Sequence, residues 1–375
     1  MPRHAPAAGQ FNISRHIVIV LFALLATGLI VGAFVVSSGA ATPDRQFVGR
    51  DGTKLVVGED DYRFTGMNVY MAASAGSCGG TVDLQRAFYS LPRGSVIRFW
   101  AFQGFFVDGN TFDWTEFDRV LAVAAAYGHR VIPVLANQHA YCDGPAKDLA
   151  WYTEGYRSLV GPGDLNTYRD YVSEVVKRYA SNSTIAMWQF INEGEAPGAD
   201  GSCDEAAAAQ ALTAFSNDIG SVARGADKNH LFSLGVIAGF NGTGRQYCGA
   251  ENEDYGKVMS TIGNDVCDYH DYGFPERPLG RPEPPNLLSA MEACRSIGRP
   301  TMVAEIGISA SSDAMLPERA AMLRSKISGQ AAAGVVGELI WCWVAGPQYV
   351  QPDGDPNFGV FAGDPAVAVL DHVDD

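Results

Sequence analysis

Beyond residue 63 the chain carries eight short apolar runs rich in valine, isoleucine and aromatic residues. They are Phe64–Tyr70, Ser95–Phe102, Arg130–Gln138, Thr184–Glu193, His230–Ile237, Asp265–Gly273, Pro300–Ile308 and Gly334–Val344. Each has the length and composition of a buried strand. Most are separated by apolar residues at helical spacing. Phe117, Val120, Leu121 and Ala124 form one such stripe, opened by a capping-box pattern at Asp113 and Glu116 and stopped at Gly128. Tyr168, Tyr171, Val172, Val175, Val176 and Tyr179 form another, and Pro317 and Gly334 bracket a third helix. Strand and helix alternating eight times predict a (β/α)8 barrel. An open doubly wound sheet is the alternative, but Gly242-Thr243-Gly244 lacks the third glycine of a dinucleotide turn. Ahead of the barrel, Phe47–Val57 around Asp51-Gly52 reads as a hairpin, and Pro275–Pro285 reads as an irregular loop.

The N-terminus follows a different pattern. Ile17–Val36 is a run of 20 uncharged residues behind Arg3 and Arg15, long enough to cross a bilayer as an N-in helix. Small residues at Ser38–Ala41 also suit signal-peptide cleavage near Ala40 or Ala41. Both readings place the rest of the chain outside the cytoplasm, membrane-anchored or secreted. The expected organisation is a cytoplasmic segment 1–16, an anchor or signal helix 17–36, a linker 37–46 and a barrel domain 47–375.

Composition narrows the function. The net charge is −15, and every acidic residue lies beyond the N-terminal apolar run, so the body repels nucleic acid and anionic lipid. A neutral partner such as a polysaccharide fits this charge, and the body is expected to be monomeric. Seven cysteines with no C-x-x-C pair suit an oxidising compartment better than a zinc site. Strand one has no His-x-His pair, and Asp353-x-Asp355-x-Asn357 is a calcium-like loop spoiled by Pro356. Neither a metal nor a cofactor is expected. Parity turns Cys267 outward toward the helix carrying Cys294, which predicts a disulfide between them, with Cys142–Cys203 as a second.

Two glutamates stand out at the C-terminal ends of strands, where barrel chemistry is performed. Strand four ends in Asn192-Glu193, and strand seven carries Glu305 within Met302–Ile306. A carboxylate in an apolar strand is costly unless it is paired with a buried arginine or used chemically. A protonated carboxyl facing an ionised one across the mouth is what acetal hydrolysis needs.

The chain resembles clan A glycoside hydrolases, close to the family 5 β-mannanases and cellulases. Phe64–Tyr70, Arg98-Phe-Trp100-Ala-Phe102, Asn192-Glu193, His270-Asp-Tyr272, Glu305 and Trp341-Cys-Trp343 carry the resemblance, which spans residues 46–362. It implies a retaining hydrolase of β-linked glycans, mannan or glucan, with Glu193 as acid/base and Glu305 as nucleophile. Arg98 and Tyr272 would contact Glu305, Asn192 the sugar 2-hydroxyl, and His270 would line the subsite beside Glu193. Trp341 or Trp343 would stack beneath the sugar, and Trp100 is a further substrate-binding candidate. Trp341 and Trp343 share parity and are expected to face one side. His139 either contacts substrate or is a satisfied surface histidine. Glu195 is expected to be a loop residue, and no cation is expected beside Glu193. A transglycosylase with the same pair and a non-catalytic carbohydrate-binding barrel are the alternative functions.

Cell fractionation tests the export expectation. A retained anchor leaves the protein with membranes, whereas mature soluble protein beginning near Ala41 establishes signal cleavage.

Overall fold

The computed structural model describes residues 46–371 apart from 109–110, 162–164, 238–246, 251, 274–276, 280–285 and 348–356. All eight expected strand regions are present: Phe64–Asn68, Val96–Trp100, Arg130–Val134, Met187–Gln189, Leu231–Ser233, Cys267–Asp271, Thr301–Ile306 and Gly337–Ile340. They form one parallel sheet in the order five, four, three, two, one, eight, seven, six. Strands five and six come together through Asp265 N donating to Phe232 O at 2.7 Å and His270 N to Ile237 O at 3.4 Å. Side chains reinforce this seam. Asn264 Oδ1 accepts from Leu234 N at 2.7 Å, and Asp265 Oδ2 from Phe232 N at 3.0 Å. The result is a nearly closed (β/α)8 barrel.

Helices follow the strands because their apolar stripes need the sheet's outer face. Thr115–Tyr127 buries Phe117, Val120, Leu121 and Ala124, and Tyr168–Tyr179 buries Tyr171, Val172, Val175 and Val176. Phe117 joins the layers, stacking on Tyr179 with ring centroids 4.3 Å apart and edge-on to Phe99 at 5.5 Å. The remaining helices of this layer are Leu84–Tyr89, Glu205–Ala226, Asn252–Met259, Leu287–Ser296 and Leu316–Ala333, and after strand eight a 3-10 turn at Val367–Asp371 packs back on the barrel.

The expected hairpin is the start of a three-stranded antiparallel sheet, Val48–Asp51, Lys54–Val57 and Asp60–Tyr62. Its Val48 and Leu55 join Phe64, Val96, Ile132, Met187, Met302 and Leu339 in one buried cluster. The sheet thereby plugs the N-terminal end of the barrel with apolar side chains, leaving the polar residues at the opposite mouth.

Some local expectations need correction. Asp113 and Glu116 form no capping box, because the helix starts one position later than the motif requires. Asp113 Oδ1 instead accepts from Thr115 N at 2.9 Å, while Trp114 is the N-cap. Cys267–Cys294 is a disulfide, with Cα atoms 6.4 Å apart, as outward parity requires. Cys142, however, pairs with Cys78, and Cys203 with Cys248, at Cα separations of 5.2 and 5.7 Å. The loop after strand one crosses over strand two to reach the loop after strand three, a path that sequence adjacency does not reveal. Cys342 is buried and unpaired. No described helix is long and apolar enough to cross a membrane. Ile17–Val36, the Ser38–Ala41 site, Gly242–Gly244, most of Pro275–Pro285, Asp353 and Asp355 lie outside the described residues.

Strand eight carries a buried carboxylate of its own. Glu338 is fully buried, and the nearest cation is the Arg63 guanidinium at 3.6 Å. Burial pushes its carboxyl up to about 8, with Arg63 offsetting only part of the effect. The folded chain therefore holds a proton that the unfolded chain releases near the ordinary value of about 4.3. Stability is consequently lost as pH rises from there toward 8. Glu338→Gln is expected to match wild type within ~1 kcal/mol at pH 5 and to exceed it by roughly 2–4 kcal/mol at pH 9 in urea unfolding. An equal difference at both values of pH contradicts this assignment.

Candidate active site

Period-two alternation aims one residue in two at the barrel axis, and near the mouth those residues are polar. Strand one contributes Asn68, strand two Arg98, strand four Gln189, strand six Asp268 and His270, and strand seven Glu305, all buried. A bulge in strand seven, where Ala304 is the extra residue between Val303 and Glu305, sets His270 opposite Glu305. Asp271, on the other parity, accepts from Lys326 and Gln330 of the helix Leu316–Ala333, each at 2.8 Å. These bonds anchor the outer side of strand six, which carries His270 and leads directly into Tyr272.

Arg98 organises the floor of the site. Its Nε donates to Gln189 Oε1 at 2.8 Å, Nη1 to Asn68 Oδ1 at 2.8 Å and Glu305 Oε1 at 2.6 Å, and Nη2 to Asn192 Oδ1 at 2.6 Å. Tyr272 donates its hydroxyl to the other Glu305 oxygen at 2.5 Å. Burial and the neighbouring Glu305 charge push the tyrosine well above its ordinary value, so it stays a donor. Beneath, Asp268 Oδ1 accepts from Gln189 Nε2 at 3.1 Å, and burial raises Asp268 to about 7 against the pull of His270 and Arg98.

Glu193 reaches the mouth through a local backbone departure. Its φ is +55°, a left-handed conformation uncommon outside glycine. This turn interrupts the alternation, so Asn192 and Glu193 both reach the site although adjacent in sequence. Asn192 Nδ2 also donates to Asn137 Oδ1 at 3.1 Å. Donor atoms of Glu193, His270 and Glu305 all lie within 4.8 Å of one another.

Two imidazoles, whose hydrogen bonds to it were not foreseen in the sequence, stand beside Glu193. His270 Nδ1 lies 2.9 Å from its Oε1 and His139 Nε2 lies 2.7 Å from its Oε2. Burial alone pushes the Glu193 carboxyl up, but hydrogen bonds from His139 and His270, with the positive charge these rings can carry, outweigh it and hold the carboxyl below its usual range. The histidines come from the loop after strand three and from strand six, so sequence proximity gives no warning of their convergence on Glu193. His139 thus lies at the mouth with its ring against Glu193.

Other expected site residues divide. Trp341 is half-buried at the mouth and stacks on Tyr70 with centroids 5.1 Å apart. Trp343 is buried in the layer between barrel and helices, so the two tryptophans do not share a side. Strand eight ends at Ile340, and period-two parity does not extend beyond it. Trp100 is 3% exposed, packed between Tyr70 and Phe102 at 4.6 and 5.0 Å. It supports this aromatic wall from beneath instead of presenting a face. Glu195 does lie past the strand but is buried, its carboxylate accepting from Cys248 N at 3.3 Å. Asn68, Asn137, Gln189 and Asp268 join the site without having been expected from the sequence. Inward parity beside Arg98 was the available signal for Asn68 and Gln189.

Among the described residues, two groups have donor atoms close enough for a metal, Glu193–His270–Glu305 and Cys203–Glu205–Cys248. The first group's oxygens already meet Arg98, Tyr272 and His139, and the two cysteines of the second are joined in a disulfide. What remains is a carboxylate facing a cation and a phenol, opposite a carboxyl that shares hydrogens with two imidazoles.

No protein-family model matches the chain. It is 26% identical over 288 residues to a probable mannan endo-1,4-beta-mannosidase C of Aspergillus terreus, an alignment covering 66% of this chain and 69% of that one. It is 26% identical over 226 residues to mannan endo-1,4-beta-mannosidase 1 of Arabidopsis thaliana, covering 52% of this chain and about half (51%) of the relative. Among solved structures, an endo-1,4-beta-mannanase from Rhizomucor miehei superposes with a TM-score of 0.64 at 19% identity, covering 88% of this chain and 99% of that one. An endo-beta-1,4-mannanase from Thermotoga petrophila gives 0.61 at 18% identity, covering 84% and 77%. The barrel and its facing glutamates, with these sequence relatives, support a glycosidase that resembles the clan A, family 5 type. Within that type, the fungal and plant relatives both carry the names of endo-acting mannan hydrolases.

Arg98→Met leaves Glu305 buried without its cation and is expected to cost about 3–5 kcal/mol in urea unfolding. Replacing both partners, Arg98→Met with Glu305→Leu, is expected to recover most of that loss. A double variant as unstable as the single one shows that the ion pair is not the main contribution.

Proposed function

We propose that this chain hydrolyses β-linked polysaccharide, β-1,4-mannan first among candidates, by double displacement with retention. The observation that carries this reading is the close approach of Glu193 and Glu305, an oxygen of each lying within 4.8 Å of the other. Retaining pairs stand about 5–5.5 Å apart, whereas inverting pairs need roughly 6.5–9.5 Å to admit a water. In this reading Glu305 attacks the anomeric carbon while Glu193 protonates the departing glycosidic oxygen. The covalent glycosyl-enzyme is then released by water, which gives its proton to Glu193. Arg98 neutralises the Glu305 charge between attacks, and Tyr272 fixes the carboxylate plane. Asn192, held by Arg98 and Asn137, is aimed to meet the sugar 2-hydroxyl.

Trp341 is the tryptophan proposed to lie beneath the sugar, its orientation set by Tyr70. Aromatic faces suit the C–H face of a pyranose. The names of the relatives and the Arg98–Phe102 segment support the preference for mannan. Extracytoplasmic action fits the disulfides and the uncharged N-terminal run.

Glu305→Ala is expected to abolish glycosyl-enzyme formation, read by mass spectrometry with a fluorinated aryl glycoside. Glu193→Ala is expected to lose polysaccharide turnover by about 10²–10⁴-fold while sparing activated aryl glycosides and accepting azide. Near wild-type aryl glycoside turnover in Glu305→Ala refutes the pair. Product lengthening in place of reducing-sugar release identifies a transglycosylase, and robust β-glucan turnover without mannan cleavage reverses the substrate order.

A further inference from the structure

Both oxygens of Glu193 face an imidazole nitrogen in this structure, and the two imidazoles differ in kind. His270 is fully buried on strand six and lies 2.9 Å from Glu193 Oε1 and 3.4 Å from Glu305 Oε2. His139 sits on the loop after strand three, 2.7 Å from Glu193 Oε2, with 35% of its side chain exposed. It is the one of the two that meets solvent. The backbone around it is fixed. Asn137 N donates to Asp143 Oδ2 at 2.8 Å, Asn137 Nδ2 donates to Tyr141 O at 2.9 Å, and the Cys78–Cys142 disulfide ties the loop across strand two. A mere surface side chain does not need this support.

We infer that His139 is a positioning residue for Glu193, holding the catalytic proton in common with it along the Oε2–Nε2 contact. This rests on the acid/base role proposed above for Glu193. The free pair carries one transferable proton, shared between carboxylate and imidazolium. When the glycosidic oxygen arrives at Oε2, that proton goes to the leaving oxygen as the anomeric C–O bond breaks, and the bonding electrons stay on that oxygen. Glu193 is then a carboxylate and His139 a neutral imidazole. In the second half, attacking water yields a proton to Glu193 Oε2 and the pair is restored.

The groups facing the pair are consistent with this direction. On the Glu193 side stand His270, then Glu305 neutralised by Arg98, and Tyr272. On the loop side stand Asp143 and Lys147, bonded to each other at 3.2 Å. Glu195 is turned away toward Cys248 N. A carboxylate beside an imidazolium makes its proton harder to remove, so the shared proton is lost above the ordinary histidine value of about 6.5. The loss belongs to the pair and sets the alkaline limb of activity.

The test compares wild type with His139→Gln and His139→Ala in pH profiles of kcat/KM on mannan and on a dinitrophenyl β-glycoside. The alkaline limb on mannan is expected to move toward acid by about one pH unit or more. First-step glycosylation by the dinitrophenyl substrate, whose leaving group needs no proton, is expected to stay within about threefold of wild type and so reports an intact site. Added imidazole is expected to restore the limb in His139→Ala. Histidine NMR supplies a readout independent of turnover: the His139 titration is expected to lie higher in the full chain than in its Glu193→Gln variant. An unmoved limb together with an ordinary His139 titration overturns the inference while leaving the glycosidase reading intact. A wild-type chain inactive on every β-glycan, with His139 nonetheless titrating high, overturns only the reading of function.

Discussion

A guanidinium with no access to water, set at the axis of the barrel, is the constraint around which the site is arranged. Arg98 has a fully buried side chain and five N–H groups, each costly to leave without an acceptor. Four side chains from strands one, four and seven supply acceptors: Asn68, Gln189, Asn192 and Glu305. Meeting that demand fixes the rotamers of residues far apart in the chain. The same bonds bring Glu305 to rest with its charge matched and its second oxygen turned to Tyr272. One desolvated cation therefore orients the strand-seven carboxylate and the asparagine beside the strand-four one.

That demand is met at only one end of the barrel. At the other, Val48 and Leu55 of the antiparallel sheet cover an interior lined by Val96, Ile132, Met187, Met302 and Leu339. Apolar burial stabilises this end without specifying orientation, whereas the hydrogen-bonded end specifies orientation at a cost in desolvation. The contrast allows strain to be tolerated at the mouth. Glu193 is held at φ +55° while Gly194 N donates to Gly235 O at 3.2 Å just beyond it.

Loops complete the site in a different way from strands. Cys78–Cys142 joins the loops after strands one and three, and Cys203–Cys248 joins the segments after strands four and five. Both crosslinks lie at the polar mouth and limit how far those loops open. His139, Tyr141 and the aromatic wall of Tyr70 and Trp341 lie on or beside the first of them. Strand seven sets Glu305, whereas Glu193 lies on the turn past strand four and is met by His270 from strand six and His139 from a loop.

The residue pattern alone determined the eight strands and the helices that cover them, because burial on a parallel sheet imposes periods that a linear sequence records, and it marked Glu193 and Glu305 as carboxylates at strand ends. Cys267–Cys294 was legible for the same reason, since parity turns Cys267 toward a helix already located. The fate of the residues past the strand ends was not legible. Trp341 and Trp343 share a parity that no longer governs them, and the partners of Cys142 and Cys203 depend on how loops cross. His139 and Glu193 stand 54 positions apart, and nothing periodic links them. Only the nearly closed barrel, which brings the third, fourth and sixth strand ends around one mouth, decided that both oxygens of Glu193 would meet an imidazole.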